Sequence, residues 1–212
     1  MKSRPILFSA PMVRALLDGT KTQTRRVVKQ QPDWFEPGAD WQYGNGHSGL
    51  GWYVNNSDYP EEGASFYHCP YGQVGDQLWV RETWYCDDFR VLRGPYLKPD
   101  DLDVVDARET GTLSYAADGR NPYEADQPTW KPSIHMPRWA SRITLEITGV
   151  RVERLQDTTR GDCMAEGCPF PNIAKETNPK GWYRDLWASI NDADSWEKNP
   201  WVWVIEFKRM AV

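Results

Sequence analysis

Met12, Val13, Leu16 and Leu17 recur at helical spacing behind Ser9-Ala10-Pro11. One apolar stripe thus follows an N-cap serine and a proline tolerated in the first turn. Gly19 stands where a left-handed residue stops such a helix. Residues 1–8 read as an entering strand, and the threonines at 20, 22 and 24 predict a polar extended segment running to Val28. Gly75-Asp76 marks a turn, after which Leu78 and Val80 alternate as a half-buried strand. The strongest alternation covers 141–154, where Ile143, Leu145 and Ile147 precede a bend at Gly149 and then Val150 and Val152. A short helix is predicted through Met164, Ala165 and Glu166, ended by Gly167 and Pro169. Trp182, Leu186 and Ile190 share one helical face, and 201–207 is a closing strand.

Between these elements, residues 30–73 and 87–132 show no sustained period and are rich in Gly, Pro, Asn, Asp and aromatic side chains. They read as two long loop-rich insertions in a single domain spanning 1–212, the second wrapping the core rather than forming its own. Strands outnumber helices, which predicts an α+β domain or small β-barrel with short flanking helices.

The length of 212 residues suits one elaborated domain. No apolar run approaches the ~20 residues that span a bilayer, so no membrane partner is expected. The N-terminal stretch, broken by Pro5 and Pro11, does not read as a secretory signal, and a cytoplasmic location is expected. Lysine and arginine total 25 against 30 acids, a net charge of -5. Such a surface repels a polyanion, so RNA would be engaged only through a local positive pocket, and a small substrate is the first expectation. Cys69, Cys86, Cys163 and Cys168 are expected as reduced thiols. The 12 tryptophans and 10 tyrosines are core filler first and stacking platforms second.

No P-loop, dinucleotide fingerprint or nucleophile elbow is present. The histidines, His47, His68 and His135, form no H-E-x-x-H pair. His68, Cys69, Cys86, Cys163 and Cys168 lack the paired spacing of a zinc site, so neither metal nor cofactor is expected. What remains is Gly19-x-Lys21-x-x-x-x-Arg26, which puts an ammonium, the Thr24 hydroxyl and a permanently charged guanidinium within eight residues. Its plainer reading is a solvated surface strand.

That spacing resembles the signature of the ASCH domain family, a PUA-like β-barrel associated with RNA and modified nucleosides. Gly19-Thr20-Lys21-Thr22-Gln23-Thr24-Arg25-Arg26 is similar to the corresponding run of small bacterial members that hydrolyse N4-acetylcytidine. Gly75-Asp76-x-Leu78-x-Val80, Thr144-Leu145-Glu146-Ile147-Thr148 and Val204-Ile205-Glu206-Phe207-Lys208 resemble later strands in the same order. The long, Trp-rich form resembles members carried by bacteriophages and prophages.

The resemblance implies an amidohydrolase with a Thr-Lys-Glu site. Lysine and threonine map onto Lys21 and Thr24, and the carboxylate onto Glu166, with Glu82 or Glu146 as alternatives and an exposed helix-end acid as the plainer reading of Glu166. Either Lys21 or Glu166 serves as the general base; a lysine base must be depressed from its ordinary pKa near 10.4. In a regular strand Lys21 and Thr24 would face opposite ways, so this chemistry needs irregular backbone after Gly19. Arg26, Arg138 and Arg142 are candidate binders of ribose, phosphate or the base carbonyl, and Trp84 and Trp139 candidate stacking platforms, each tryptophan having core packing as its alternative. Competing readings are a PUA-like module that binds modified nucleosides or single-stranded RNA without chemistry, a ribonuclease, and an aromatic docking protein.

Overall fold

A computed structural model describes residues 1–31, 41–46, 49–54, 67–92, 94–119, 130–169 and 178–211. His47 and much of both loop-rich stretches lie outside these residues. The described elements are β1 (Ser3–Leu7), α1 (Ala10–Leu17), β2 (Gln23–Val27), β3 (Trp41–Gly46), β4 (Gly49–Val54), β5 (Gln77–Arg81), β6 (Trp84–Cys86), α2 (Phe89–Leu92), α3 (Val104–Glu109), β7 (Leu113–Tyr115), β8 (Thr144–Arg154), α4 (Arg160–Ala165), α5 (Pro179–Ile190) and β9 (Trp201–Arg209). A five-stranded sheet has the order β1-β5-β8-β9-β2, and β3-β4 and β6-β7 are two-stranded. The α+β class is therefore observed, and barrel closure is not seen among the described residues. The chain divides into two compact units, 1–22 with 75–146 and 207–212, and 23–74 with 147–206.

In the first unit β1 runs parallel to β5, with Ser3 opposite Gln77 and Leu7 opposite Arg81. Gly75, at φ 86°, makes the turn that delivers Asp76. Its carboxylate accepts from the Lys2 amide at 2.7 Å and from Arg4 Nη1 at 2.9 Å, fastening the two strand starts together. Ile6, Phe8, Val13, Leu16, Leu78, Val80, Ile143 and Leu145 are buried. Helix α1 ends as its glycine predicts. The Thr20 amide donates to the Ala15 carbonyl and the Gly19 amide to that of Leu16, with Gly19 at φ 73°, so the last turn is closed by two backbone bonds.

The second loop-rich stretch does more than wrap. Val91, Ala107, Leu113 and Tyr115 from this stretch join Trp84, Cys86, Met136 and Ala140 in a buried cluster. The elements supplying it, α2, α3 and β7, are three to six residues long, too short to leave a readable period.

In the second unit β2 runs antiparallel to β9, pairing Gln23 with Glu206, Thr24 with Ile205, Arg25 with Val204 and Arg26 with Trp203. The two faces of β9 pack differently. Val202 and Val204 join Leu155, Cys163, Tyr183, Trp187 and Trp196. Trp201 and Trp203, on the other face, meet the hairpin β3-β4: Trp41 lies 5.6 Å from Trp201 and 6.4 Å from Trp203, and Trp52 lies 6.3 Å from Trp203. This hairpin sits in the first loop-rich stretch and was hidden by its glycines. At one of them a side chain would have to displace a neighbour, because a Cβ on Gly51 would lie 2.9 Å from His68 Cε1. The buried stripe of α5 is also one residue over from the expected one: Tyr183 and Trp187 are buried, Trp182 and Leu186 pack at its side, and Ile190 is exposed. Tyr183 makes an edge contact with Trp196 at 6.2 Å, which fixes that rotation.

Candidate functional site

Glu166 is the C-cap of α4, and the local sequence sets its position. Thr159 caps the start: its hydroxyl accepts from the Asp162 amide at 3.1 Å, while Asp162 Oδ2 accepts from the Thr159 amide at 2.9 Å. At the other end Gly167, at φ 94°, turns the chain, its amide donating to Met164 and that of Cys168 to Cys163. Six residues between a capping box and a glycine stop leave Glu166 little freedom. It is 3% exposed, so the reading of a solvated helix-end acid does not hold.

The side chains around it come from β2, β8 and α5. Arg25 Nη1 approaches Glu166 Oε1 at 3.5 Å, and the Tyr183 hydroxyl donates to the same oxygen at 3.4 Å. Arg25 Nη2 pairs with Glu153 at 3.1 Å and Asp162 at 3.2 Å, and its guanidinium lies 5.9 Å over the Tyr183 ring. Gln23 Nε2 donates to both the carbonyl and Oδ1 of Asp162 at 3.1 Å. Burial alone would lower the Arg25 pKa, but Glu166, with smaller contributions from Tyr183, Asp162 and Glu153, raises it above the ordinary value. Asp162 is likewise opposed by burial, yet the Thr159 hydrogen bonds, the Arg25 charge and the Gln23 amide hold it well below the usual carboxylate range. Burial and the Glu166 charge push the Tyr183 hydroxyl well up. Burial raises the Cys163 thiol to about 11.

Thr24 is 2% exposed and lies between Gln23 and Arg25 on β2. Strand alternation puts Gln23 and Arg25 on the face that carries Val204, toward α4 and α5. Thr24 and Arg26 share the other face with Ile205 and Trp203. The β2 side chain that reaches Glu166 is therefore Arg25. Lys21 belongs to the first unit and is 2% exposed. Its amide donates to the Ala15 carbonyl at 3.0 Å and its Nζ lies 5.6 Å over the Phe8 ring. It precedes β2, which begins at Gln23, so the backbone from Gly19 to Thr22 is not one straight strand with Thr24.

The remaining candidates lie in the first unit. Trp84 is fully buried, with edge contacts to Tyr96 at 5.6 Å and Trp139 at 6.0 Å, and serves as core. Trp139 packs against the same cluster and donates from Nε1 to the Tyr96 carbonyl at 2.9 Å. Arg138 lies 5.8 Å over the Trp79 ring. Arg142 grips Glu82 with Nε and Nη2 at 2.9 and 3.0 Å, bonds Asp118, and stacks 4.0 Å over Tyr115. Glu82, raised by burial against the opposing Arg142, is thereby committed to an ion pair. Glu146 pairs with Lys208 at 3.2 Å. Among the described residues no group of three or more His, Cys, Asp or Glu side chains is arranged to hold a metal ion.

Sequence reasoning overlooked Arg25, Asp162 and Tyr183. Arg25 stood in the polar run, but its neighbours Lys21 and Arg26 matched the family spacing and it did not. Tyr183 was masked as helix filler. Comparison with family models, curated proteins and solved structures finds no match for this chain.

Proposed function

We propose that the chain is an amidohydrolase that removes an N4-acyl group from cytidine or a related modified nucleoside, on a PUA-like domain of the ASCH kind. The observation that carries this reading is the interior position of Glu166, 3% exposed at the end of the short helix after β8, where the resemblance assigns the site's carboxylate. Thr24 and Lys21, at 2% exposure each, are likewise interior rather than surface residues.

The Thr24 hydroxyl attacks the acyl carbon, the carbon–N4 bond breaks, and N4 takes a proton to leave as the amine of cytidine. Water then cleaves the acyl-threonine ester, releasing the carboxylic acid and restoring the hydroxyl. By the resemblance either Lys21 or Glu166 accepts the Thr24 proton, the other serving as orienting or electrostatic partner; the β2 side chain in contact with Glu166 is Arg25. Arg26, on the Thr24 face, is the candidate contact to the base carbonyl or ribose.

The test is incubation of the purified protein with N4-acetylcytidine and longer N4-acyl analogues, with free cytidine followed by chromatography. Turnover lost in Lys21→Ala, Thr24→Ala and Glu166→Gln supports the reading. Saturable nucleoside binding with no product in the unsubstituted protein replaces it with the binding-module reading.

A further inference from the structure

We infer that Arg25, assisted by the Tyr183 hydroxyl, is a positioning residue that fixes the orientation of the Glu166 carboxylate for the reaction. The inference rests on the reading of Glu166 as the carboxylate of the site.

Three features of the second unit carry it. Arg25 and Tyr183 converge on the same oxygen, Oε1, from β2 and α5, so the carboxylate is held from two directions. The side chains of Arg25 and Glu166 are 0% and 2% exposed, so the contact between them is screened little by solvent. Tyr183, its ionisation pushed well up, remains a neutral donor throughout the neutral range.

The way Arg25 bonds also differs from that of a guanidinium serving only as structural mortar. Arg142 of the same chain closes a two-pronged grip on Glu82 through Nε and Nη2. Arg25 spreads its two Nη atoms over Glu166, Glu153 and Asp162, while its Nε is buried without a partner among the described residues. A best-bonded ion pair would use that Nε. Glu153 and Asp162 instead aim the guanidinium from one end, and Gln23 and Thr159 in turn fix Asp162. The result is a held cation whose Nη1 end is presented to Glu166.

The test combines kinetics with a structural readout on the full chain. In R25Q, kcat for N4-acetylcytidine should fall about 10- to 100-fold with KM changed less than about twofold, since the interaction acts on the chemical step. R25K, which keeps a cation at this position, should recover part of the lost kcat. R25Q introduced into E166Q should change kcat less than about twofold, because Arg25 acts through a carboxylate already removed. A crystal structure of R25Q should show the Glu166 side chain turned from its position in the unsubstituted protein.

Additive losses of kcat in R25Q/E166Q, or a Glu166 side chain unmoved in R25Q, overturns the inference. If R25Q does not fold, R25K and Y183F carry the same expectation at several-fold in kcat, and unchanged kcat in both overturns it. If the unsubstituted protein does not hydrolyse acylcytidine, the proposed function fails while the position of Glu166 in R25Q still decides what Arg25 does.

Discussion

Thr24 and Arg25 are chain neighbours on β2 that belong to different environments. Arg25, opposite Val204, is stacked over Tyr183 and paired with Glu153, Asp162 and Glu166. Thr24, opposite Ile205, lies on the face where Trp203 meets the β3-β4 hairpin. One strand thus presents a hydroxyl to one side and an ion cluster to the other.

Removing the hydroxyl should separate chemistry from folding. Thr24→Ala is expected to lose about 10³-fold or more in kcat if threonine is the nucleophile, with Thr24→Ser retaining part of it. Stability should change by only about 1 kcal/mol, the scale of a strand-propensity difference. Cytidine release and urea denaturation check the two halves, and turnover in Thr24→Ala would exclude threonine as nucleophile.

The Asp162 capping box should be visible in acid. Its folded-state pKa is depressed, so the stabilisation is present above the ordinary aspartate value near 3.9 and is lost as pH falls through the lower folded value. Asp162→Asn should cost about 1–2 kcal/mol at pH 7. The gap between the two proteins should narrow steadily below about pH 4, measured by urea titration at each pH.

Arg142 gives the opposite slope. Burial already raises Glu82, and Arg142→Met leaves that carboxylate without its two-pronged partner. The folded variant then binds a proton more tightly than the unfolded chain, so its stability falls as pH rises. A penalty of about 3–5 kcal/mol is expected near pH 7, shrinking on acidification toward pH 5. A penalty independent of pH would assign the loss to packing over Tyr115 instead.

The hairpin is expected to be held by its aromatic contacts to β9. Trp203→Ala, at a position 2% exposed and touching both Trp41 and Trp52, should cost about 3–5 kcal/mol in chemical denaturation. Trp52→Ala should add less in that background than alone, because the two share one contact.

The sequence made the strongly periodic elements legible: β1, α1, β5, β8, α4 and β9 fall where alternation, caps and glycines predict them. The β3-β4 hairpin did not emerge, because Gly44, Gly46, Gly49 and Gly51 stand where alternating side chains would have announced strands. Among the candidate residues, the resemblance singled out Lys21, Thr24 and Glu166, and the structure shows all three buried. Arg25 could be assigned to the same strand face as Gln23 from alternation alone. Knowing that this face meets acids required the fold, since Glu153, Asp162 and Tyr183 lie more than a hundred residues away and carry no shared motif. Trp84 and Arg142 show the reverse: side chains suited to ligands are consumed by core packing and by an ion pair.

The two-sidedness of β2 has a consequence for how this segment tolerates change. Adding one residue between Gly19 and Gln23, with β2 sliding by one against β9, would set Thr24 opposite Val204, before the three carboxylates, and move Arg25 to the place opposite Trp203 that Arg26 holds. Deleting one would instead bring Arg26 before the carboxylates and carry Thr24 out of its place opposite Ile205. Changes by two residues would spare that parity, so length variation here should come in even steps.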